Sequence, residues 1–146
     1  MGSNKTLEAP DHAGAPRITA IFSIAGRDFD AGECTLAIGL KPSAIWHQKI
    51  PELRQRADLP NVNWNIIRES KNLYSVNDVV HQVIDAVWSH RDRIEDYVRD
   101  KSLDVVITCT VTVFDERPEL DLSAPTIRRM ADLKCSFSLD VIDYSE

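Results

Sequence analysis

The sequence predicts an α+β domain built on one five-stranded sheet. Residues 103–114 (LDVVITCTVTVF) alternate apolar and polar side chains over a run rich in β-branched residues, which is typical of a long strand with one buried face. Residues 75–98 instead repeat their apolar side chains at helical spacing. Since the chain has 146 residues and is 43% hydrophobic, it is long enough for a single domain with its own core.

Five segments predict strands, and apolar and polar side chains alternate along all of them except the second. The strands cover residues 17–24, 43–50, 61–69, 103–114 and 135–144. The polar loop PELRQRADLP separates the second strand from the third. Residues 1–16 mix Gly, Pro, Ala and charge without periodicity, so we expect a disordered N-terminal tail before a single α+β domain over residues 17–146.

Three segments predict helices, and each follows a residue that caps helix N-termini well. The capping residues are Asp30, Ser75 and Ser123. Gly39 ends the first helix, because glycine readily adopts the left-handed conformation of a C-cap. The second helix is the longest, and its apolar stripe extends from Val76 to Val98.

The order of these elements predicts the topology of the sheet. The order β-α-β-β-α-β is that of a ferredoxin-like split βαβ core, which is extended here by one more α-β unit. Right-handed crossovers would place the three helices on one face and the fifth strand beside the fourth. The predicted strand order is therefore 5-4-1-3-2, in a mainly antiparallel sheet. The opposite face, which we call the open face, is left without a helix.

The charge and hydropathy of the chain argue against nucleic acid and membrane partners. Its 17 basic and 23 acidic residues give a net charge of −6, and it has no basic run to neutralise phosphates. No apolar run approaches the ~18 residues that cross a bilayer. No signal-peptide pattern precedes the first strand, so we expect a cytoplasmic protein. An acidic surface is compatible with a basic protein partner.

The residues that most often carry catalysis or bind metals occur without the spacing that either role needs. Cys34, Cys109 and Cys135 are far apart and form no C-x-x-C pair, so we expect reduced thiols, no metal and no cofactor. His81 and Asp85 lie four residues apart on one helix face, which suits either an oriented imidazole or a weak surface contact. We expect the surface contact, and no catalytic residue.

The acidic turn that contains Asp28, Asp30 and Glu33 has two interpretations. Calcium takes several oxygen ligands, but this stretch lacks the D-x-D-x-D-G order of a calcium loop. A capped helix start explains Asp30 and Glu33 without any ion. We therefore expect a structural turn in which Phe29 packs into the core.

The open face is the candidate binding surface. The candidate residues are Thr108, Thr110, Thr112, Phe114, Asp140, Ile142 and Tyr144. A one-sided sheet is ordinarily solvated. Apolar side chains grouped on such a face instead mark an interface, either with another protein or with a second copy of the chain as a homodimer.

We therefore expect a non-enzymatic protein-binding module. Its sharpest version is an immunity protein that neutralises a toxin, because an acidic domain suits fast association with a basic target. The alternative is an enzyme of unrecognised type or a small-molecule-binding domain. That alternative requires a cleft with converging titratable groups, and the sequence shows no such cluster.

Several motifs together make the chain resemble a bacterial family known as domain of unknown function 4279 (DUF4279). The shared positions are a G-x-D-F-D turn (Gly26, Asp28, Phe29, Asp30), a G-x-x-P segment (Gly39, Pro42), an L-x-L-S helix start (Leu120, Leu122, Ser123) and an acidic last strand (Asp140). The resemblance covers residues 18–144, although PELRQRADLP stands where the family has a Gly-Asp turn. It implies this fold and a bacterial cytoplasm, and it implies no particular activity.

Overall fold

A computed structural model describes residues 14–145 of the chain. Its strands are β1 (Arg17–Gly26), β2 (Ala44–His47), β3 (Val62–Ser70), β4 (Asp104–Val113) and β5 (Ser136–Asp143). Its helices are α1 (Ala31–Ile38), α2 (Pro51–Arg54), α3 (Val76–Trp88), α4 (Arg91–Lys101) and α5 (Ala124–Asp132). The predicted disordered tail lies outside the described residues as far as residue 13.

The five strands form one mixed sheet in the order β2-β3-β1-β4-β5, which confirms the predicted order. β1 is central and pairs antiparallel with both β3 and β4, while β2 pairs antiparallel with β3. β5 runs parallel to β4, because α5 carries the chain back between the two strands. The two edges of the sheet are therefore β2 and β5.

One face of the sheet, the helix face, carries the core. Alternate residues of β1, β3 and β4 point into it, and apolar residues of α1, α3, α4 and α5 pack against them. Phe22 and Trp64 are the largest fully buried side chains, and burying one such side chain stabilises a fold by about 3 kcal/mol. Trp64 Nε1 donates a 3.0 Å hydrogen bond to Thr35 Oγ1, which ties β3 to α1. The open face lies on the other side of the sheet.

The prediction of one continuous helix over residues 75–98 is wrong, because α3 and α4 are separate helices. His90 leaves helical geometry between them, and its Nδ1 lies 3.0 Å from the carbonyl oxygen of Ile38 at the end of α1. Arg91 donates to the Trp88 carbonyl oxygen at 2.8 Å and so gives one of the last carbonyls of α3 a partner. The break allows α3 to lie on the sheet while α4 packs against α1.

The loop between β2 and β3 contains the helix α2, which the sequence does not predict and which Pro51 opens at its first position. Arg27, in the turn after β1, holds this loop in place. Its guanidinium donates to the carbonyl oxygens of Arg56, Leu59 and Arg54, the last two at 2.8 Å. With α2, the described residues contain five helices rather than the three predicted. β2 is correspondingly shorter than predicted, at 4 residues.

The chain just before β1 is fastened to the domain. The predicted tail extends to residue 16, but residues 14–16 are buried. The carbonyl oxygen of Gly14 accepts hydrogen bonds from the backbone N–H groups of Asp115 at 3.2 Å and Glu116 at 3.1 Å. This segment therefore belongs to the folded domain, because its backbone pairs with the turn that follows β4.

Candidate functional site

The candidate residues of the open face lie side by side on the last two strands. In the parallel register of β4 and β5, Thr108, Thr110 and Thr112 stand beside Ser138, Asp140 and Ile142, respectively. The three threonines are half-buried, whereas their β5 neighbours are exposed. The structure therefore brings these predicted residues into one surface, which is continuous with Phe114 and Tyr144 at its end.

Phe114, Ile142 and Tyr144 form an apolar corner of the open face. The rings of Phe114 and Tyr144 stack with their centroids 5.8 Å apart and their planes 16° apart. Tyr144 N donates to the Val113 carbonyl oxygen at 2.8 Å, which continues the pairing of the two strands beyond the end of β5. Ile142 is nevertheless 39% exposed and Tyr144 64% exposed. The corner therefore offers a fixed aromatic pair with much of its apolar surface still accessible.

Carboxylates outnumber cations on the open face. Glu69 and Asp140 lie at opposite ends of a row whose middle is formed by Thr19 and Thr110. The hydroxyl of Thr19 donates to Glu69 Oε2 at 3.3 Å. Among the described strand residues, the acidic side chains that alternation places on this face are Glu69, Asp104 and Asp140, against one basic side chain, Arg17. A phosphate backbone would be repelled here, and a basic protein surface would be attracted.

The opposite end of the open face is polar and carries amide side chains. Ser23 Oγ donates a 2.7 Å hydrogen bond to Asn65 Oδ1 across β1 and β3. Asn63 Oδ1 is buried and has no hydrogen-bond partner within the described residues. Trp46 of β2 stands beside Asn63 in the register and is exposed. These residues are not among the predicted site, although the alternation in NVNWN already places both asparagines on one face.

A separate cleft of about 590 Å³ lies where α4 meets the beginnings of β4 and β5. Its apolar lining includes Ile94, Val98, Leu103, Val105 and Leu133. At this cleft Lys134 Nζ donates to Glu95 Oε2, and that hydrogen bond lowers the pKa of Glu95. The cleft combines an apolar interior with an exposed ion pair. The sequence gives no sign of it, because its residues come from distant segments.

The G-x-D-F-D turn acts as a structural element. A Cβ atom on Gly26 would lie 2.4 Å from Leu103 Cδ2, so a larger residue would force that side chain to move. Asp28 has a φ of 57° and is held by Asn61, which accepts from its backbone N–H and donates to its carboxylate, both at 2.8 Å. Asp30 Oδ1 caps α1 by accepting from two backbone N–H groups. Phe29 packs against the core, as the sequence predicts.

The side chains considered for catalysis are either buried thiols or members of an exposed ion pair. Burial raises the pKa of the Cys34 thiol to about 12 and that of Cys109 to about 11, so both thiols are poor nucleophiles at neutral pH. His81 Nε2 lies 3.2 Å from Asp85 in an exposed pair, and Asp85 also accepts from Arg129 at 3.1 Å. Within residues 14–145, no group of three His, Cys, Asp or Glu side chains is arranged to hold a metal ion. No helix in that part of the chain has the length and apolarity needed to span a membrane.

The fold and the open face together define a class: an α+β domain with a mixed sheet that is covered by helices on one side. The model of the family described as Domain of unknown function (DUF4279) matches residues 16–144, so the chain belongs to that family. This match confirms the resemblance seen in the turn, helix-start and last-strand motifs. No curated protein matches the chain, and no solved structure does.

Proposed function

We propose that this chain is a non-enzymatic protein-binding module that docks a partner through its open face. The observation that carries the proposal is the apolar corner, where Tyr144 and Ile142 stand exposed and Tyr144 stacks on the half-buried ring of Phe114. The described helices direct their buried apolar residues to the helix face. An apolar patch on a flat, regularly paired surface is typical of a protein interface, since the residues that dominate binding energy at such contacts are enriched in aromatic side chains such as tyrosine.

The charge of the open face favours a basic partner. Three carboxylates against one guanidinium on the strands, together with a net charge of −6 for the chain, produce an attractive field for positively charged proteins. The same charges disfavour nucleic acid. The half-buried threonines between the carboxylates offer hydroxyl groups that donate or accept hydrogen bonds. The partner surface is therefore expected to combine Lys or Arg side chains with an apolar contact for the corner.

The sharpest form of this proposal is an immunity protein of the bacterial cytoplasm that neutralises a basic toxin. Blocking a toxin requires fast association and a rigid surface, and it requires no catalytic group. The acidic open face favours fast association with a basic target, and the regularly paired sheet favours a rigid surface. Co-expression with any basic toxin encoded beside its gene tests this form: survival of the cells supports it, and death of the cells despite full expression contradicts it.

A matched pair of variants tests the use of the open face. Thr110→Arg places a guanidinium in the middle of the face, where it would repel a basic partner and obstruct docking. Leu36→Arg adds the same charge on α1, at a side chain that is 84% exposed and lies outside the open face. We expect affinity purification with Leu36→Arg to retain the partner and purification with Thr110→Arg to lose it. Equal retention by two folded variants would refute the assignment of the face.

The cleft beside α4 favours a second candidate function, a small-molecule-binding domain or an enzyme of unrecognised type. The Lys134 ammonium has donors beyond the one that it gives to Glu95 and could contact an acidic head group, while the apolar lining accepts a hydrocarbon tail. Decanoate is a suitable probe of this chemistry. Shifts of the Ile94 and Leu133 methyl resonances on addition of millimolar decanoate would support the candidate, and unchanged spectra would remove it.

A further inference from the structure

The strand β5 is exposed on both of its faces, which distinguishes it from the other long strands. On the helix face, Leu139 is 38% exposed and Val141 36% exposed. On the open face, Ile142 and Tyr144 are exposed as well. The exposed large apolar side chains of residues 120–144 are Leu120, Ile127, Leu139, Val141, Ile142 and Tyr144. Four exposed large apolar side chains, Leu139, Val141, Ile142 and Tyr144, therefore lie on or directly after this one strand.

The edge formed by β5 carries charge at Asp140 and Asp143, but it lacks the lysine, proline and bulge that normally protect an edge strand. Its sequence SFSLDVID contains no lysine and no proline, and its 8 residues pair regularly with β4 without a bulge. The opposite edge, β2, has only 4 residues and is followed closely by Lys49. A long, regular and apolar edge is a template for another strand, and here only β5 meets that description among the described strands.

The backbone of β5 has a defined outward-facing set of hydrogen-bonding groups. Tyr144 N donates towards β4, to the carbonyl oxygen of Val113. Because backbone groups alternate in direction along a strand, those of Leu139 and Val141 point away from β4. The side chains of these two residues lie on the helix face beside Cys109 and Val111 of β4. A strand added at this edge would pair with their backbone and cover their side chains together.

We propose that β5 pairs antiparallel with β5 of a second copy of this chain, with Leu139 opposite Leu139 on the two-fold axis. The choice of occupant rests on the self-complementarity of the strand. In this register Val141 faces Phe137 of the second copy, so apolar side chains meet on the helix face. On the open face Asp140 faces Ser138, whose hydroxyl group donates to a carboxylate.

The neighbouring registers are less favourable. Moving the axis to Asp140 would place two carboxylates directly opposite each other, which destabilises a strand pair. Moving the axis to Val141 would bring Asp143 against Leu139 and Asp140 against Ile142, and so would pair charges with apolar side chains. Moving the axis to Ser138 would keep similar pairs but would reduce the pairing within β5 to residues 136–140, whereas the register centred on Leu139 pairs residues 136–142.

The dimer would combine two five-stranded sheets into one sheet of ten strands, with the helices of both copies on the same side. The open faces would then lie side by side and remain accessible. The inference therefore does not depend on the proposed function, because it uses the outer edge of β5 and needs no other protein. A module could dimerise and bind nothing else, or bind a partner as a monomer.

Sedimentation equilibrium measures the state of association directly. One strand pair with a few side chains is a small interface, so the protein is best examined at about 100 µM. One chain has a mass of 16.5 kDa, and we expect the unchanged protein to sediment with twice that mass. The Leu139→Arg protein should sediment with the single-chain mass, because two guanidinium groups would meet at the axis. Leu36→Arg should leave the dimer intact. A single-chain mass for the unchanged protein at this concentration would overturn the proposal.

Disulfide trapping tests the register, in a Cys135→Ser background that removes the most exposed native thiol. Leu139→Cys should form an intermolecular disulfide under mild oxidation, because hydrogen-bonded residues opposite each other have Cα atoms about 5.5 Å apart. Asp140→Cys and Val141→Cys should remain unlinked, since their counterparts are then about 7 Å or more apart. A disulfide from Asp140→Cys or Val141→Cys with none from Leu139→Cys would overturn the proposed pairing.

Discussion

Removal of the Arg27 side chain should loosen the loop between β2 and β3 without unfolding the sheet. The guanidinium of Arg27 donates to three carbonyl oxygens, those of Arg54, Arg56 and Leu59. Each hydrogen bond of this kind contributes about 1 kcal/mol to stability. Two of the three acceptors are exposed and would be solvated by water instead, so we expect Arg27→Ala to lower the free energy of unfolding by about 2 kcal/mol.

Urea denaturation and hydrogen exchange together measure this effect. A loss of about 2 kcal/mol corresponds to a fall of about 7 °C in the melting temperature for a domain of this size. Exchange should accelerate most at amides of residues 54–59, because the loop opens locally before the sheet unfolds. Arg27→Lys is the matched control: it keeps the charge but cannot reach three acceptors, and should recover only part of the lost stability.

The result that would refute this reasoning is an Arg27→Ala protein with unchanged stability and unchanged protection of the loop. In that case α2 and its neighbours would be held by their own backbone hydrogen bonds, and Arg27 would be a surface residue without a structural role. Unchanged protection of residues 54–59 in a protein whose sheet amides lose protection would also contradict it, since the acceptors of Arg27 lie in the loop.

Two further predictions concern the thiols and the first helix. The folded protein holds the pKa of Cys34 at about 12, above its ordinary 9.0, and that of Cys109 at about 11. A raised thiol pKa stabilises the folded state fully below pH 9 and progressively less as the pH rises towards 12. The urea midpoint of the unchanged protein should therefore fall over that pH window, and that of Cys34→Ala should fall less. An equal fall in both proteins would contradict the raised pKa of Cys34. Asp30→Ala should lower the free energy of unfolding by about 1 kcal/mol, because Asp30 Oδ1 accepts from the N–H groups of Gly32 at 2.8 Å and Glu33 at 3.1 Å. Asp30→Asn, which also caps helices, should retain most of the stability measured by thermal melting, and a loss equal to that of the alanine variant would argue against the cap.

Local patterns were sufficient to predict the sheet and its buried face. Every second residue of β4 is apolar, and Val106 is the one apolar residue between them, so the core positions could be assigned; the structure buries Val105, Ile107, Cys109, Val111 and Val113. The crossover rules then fix the order of the strands, since few arrangements of β-α-β-β-α-β satisfy them. The candidate face follows from the same alternation, because the residues that do not enter the core must stand on the other side.

The break between α3 and α4 could not be predicted from periodicity. The apolar stripe continues from Val87 to Ile94 across Ser89 and His90, and neither of these residues ends a helix by its own preference. The break depends on the contact between His90 and the end of α1, which is distant in sequence. The role of Arg27 is hidden from the sequence for the same reason, because its acceptors lie about thirty residues further along the chain.

The sequence also does not predict that β5 is exposed on both faces of the sheet. Its alternation of Phe137, Leu139 and Val141 with serines and aspartate predicts one buried face, as in β4. In the structure Leu139 and Val141 remain accessible although they point to the helix face. Periodicity indicates which side chains share a face, but it does not indicate whether another element covers that face.

Photo-crosslinking from the centre of the open face tests the central claim most directly. A benzophenone amino acid at position 110 would stand between Thr19 of β1 and Asp140 of β5, and the same group at position 36 on α1 serves as the control. In cells of the native host, we predict one protein adduct, distinct from the chain itself, that forms from position 110 and does not form from position 36. Identical adducts from both positions, or none from position 110, would contradict the claim that the open face binds a partner protein.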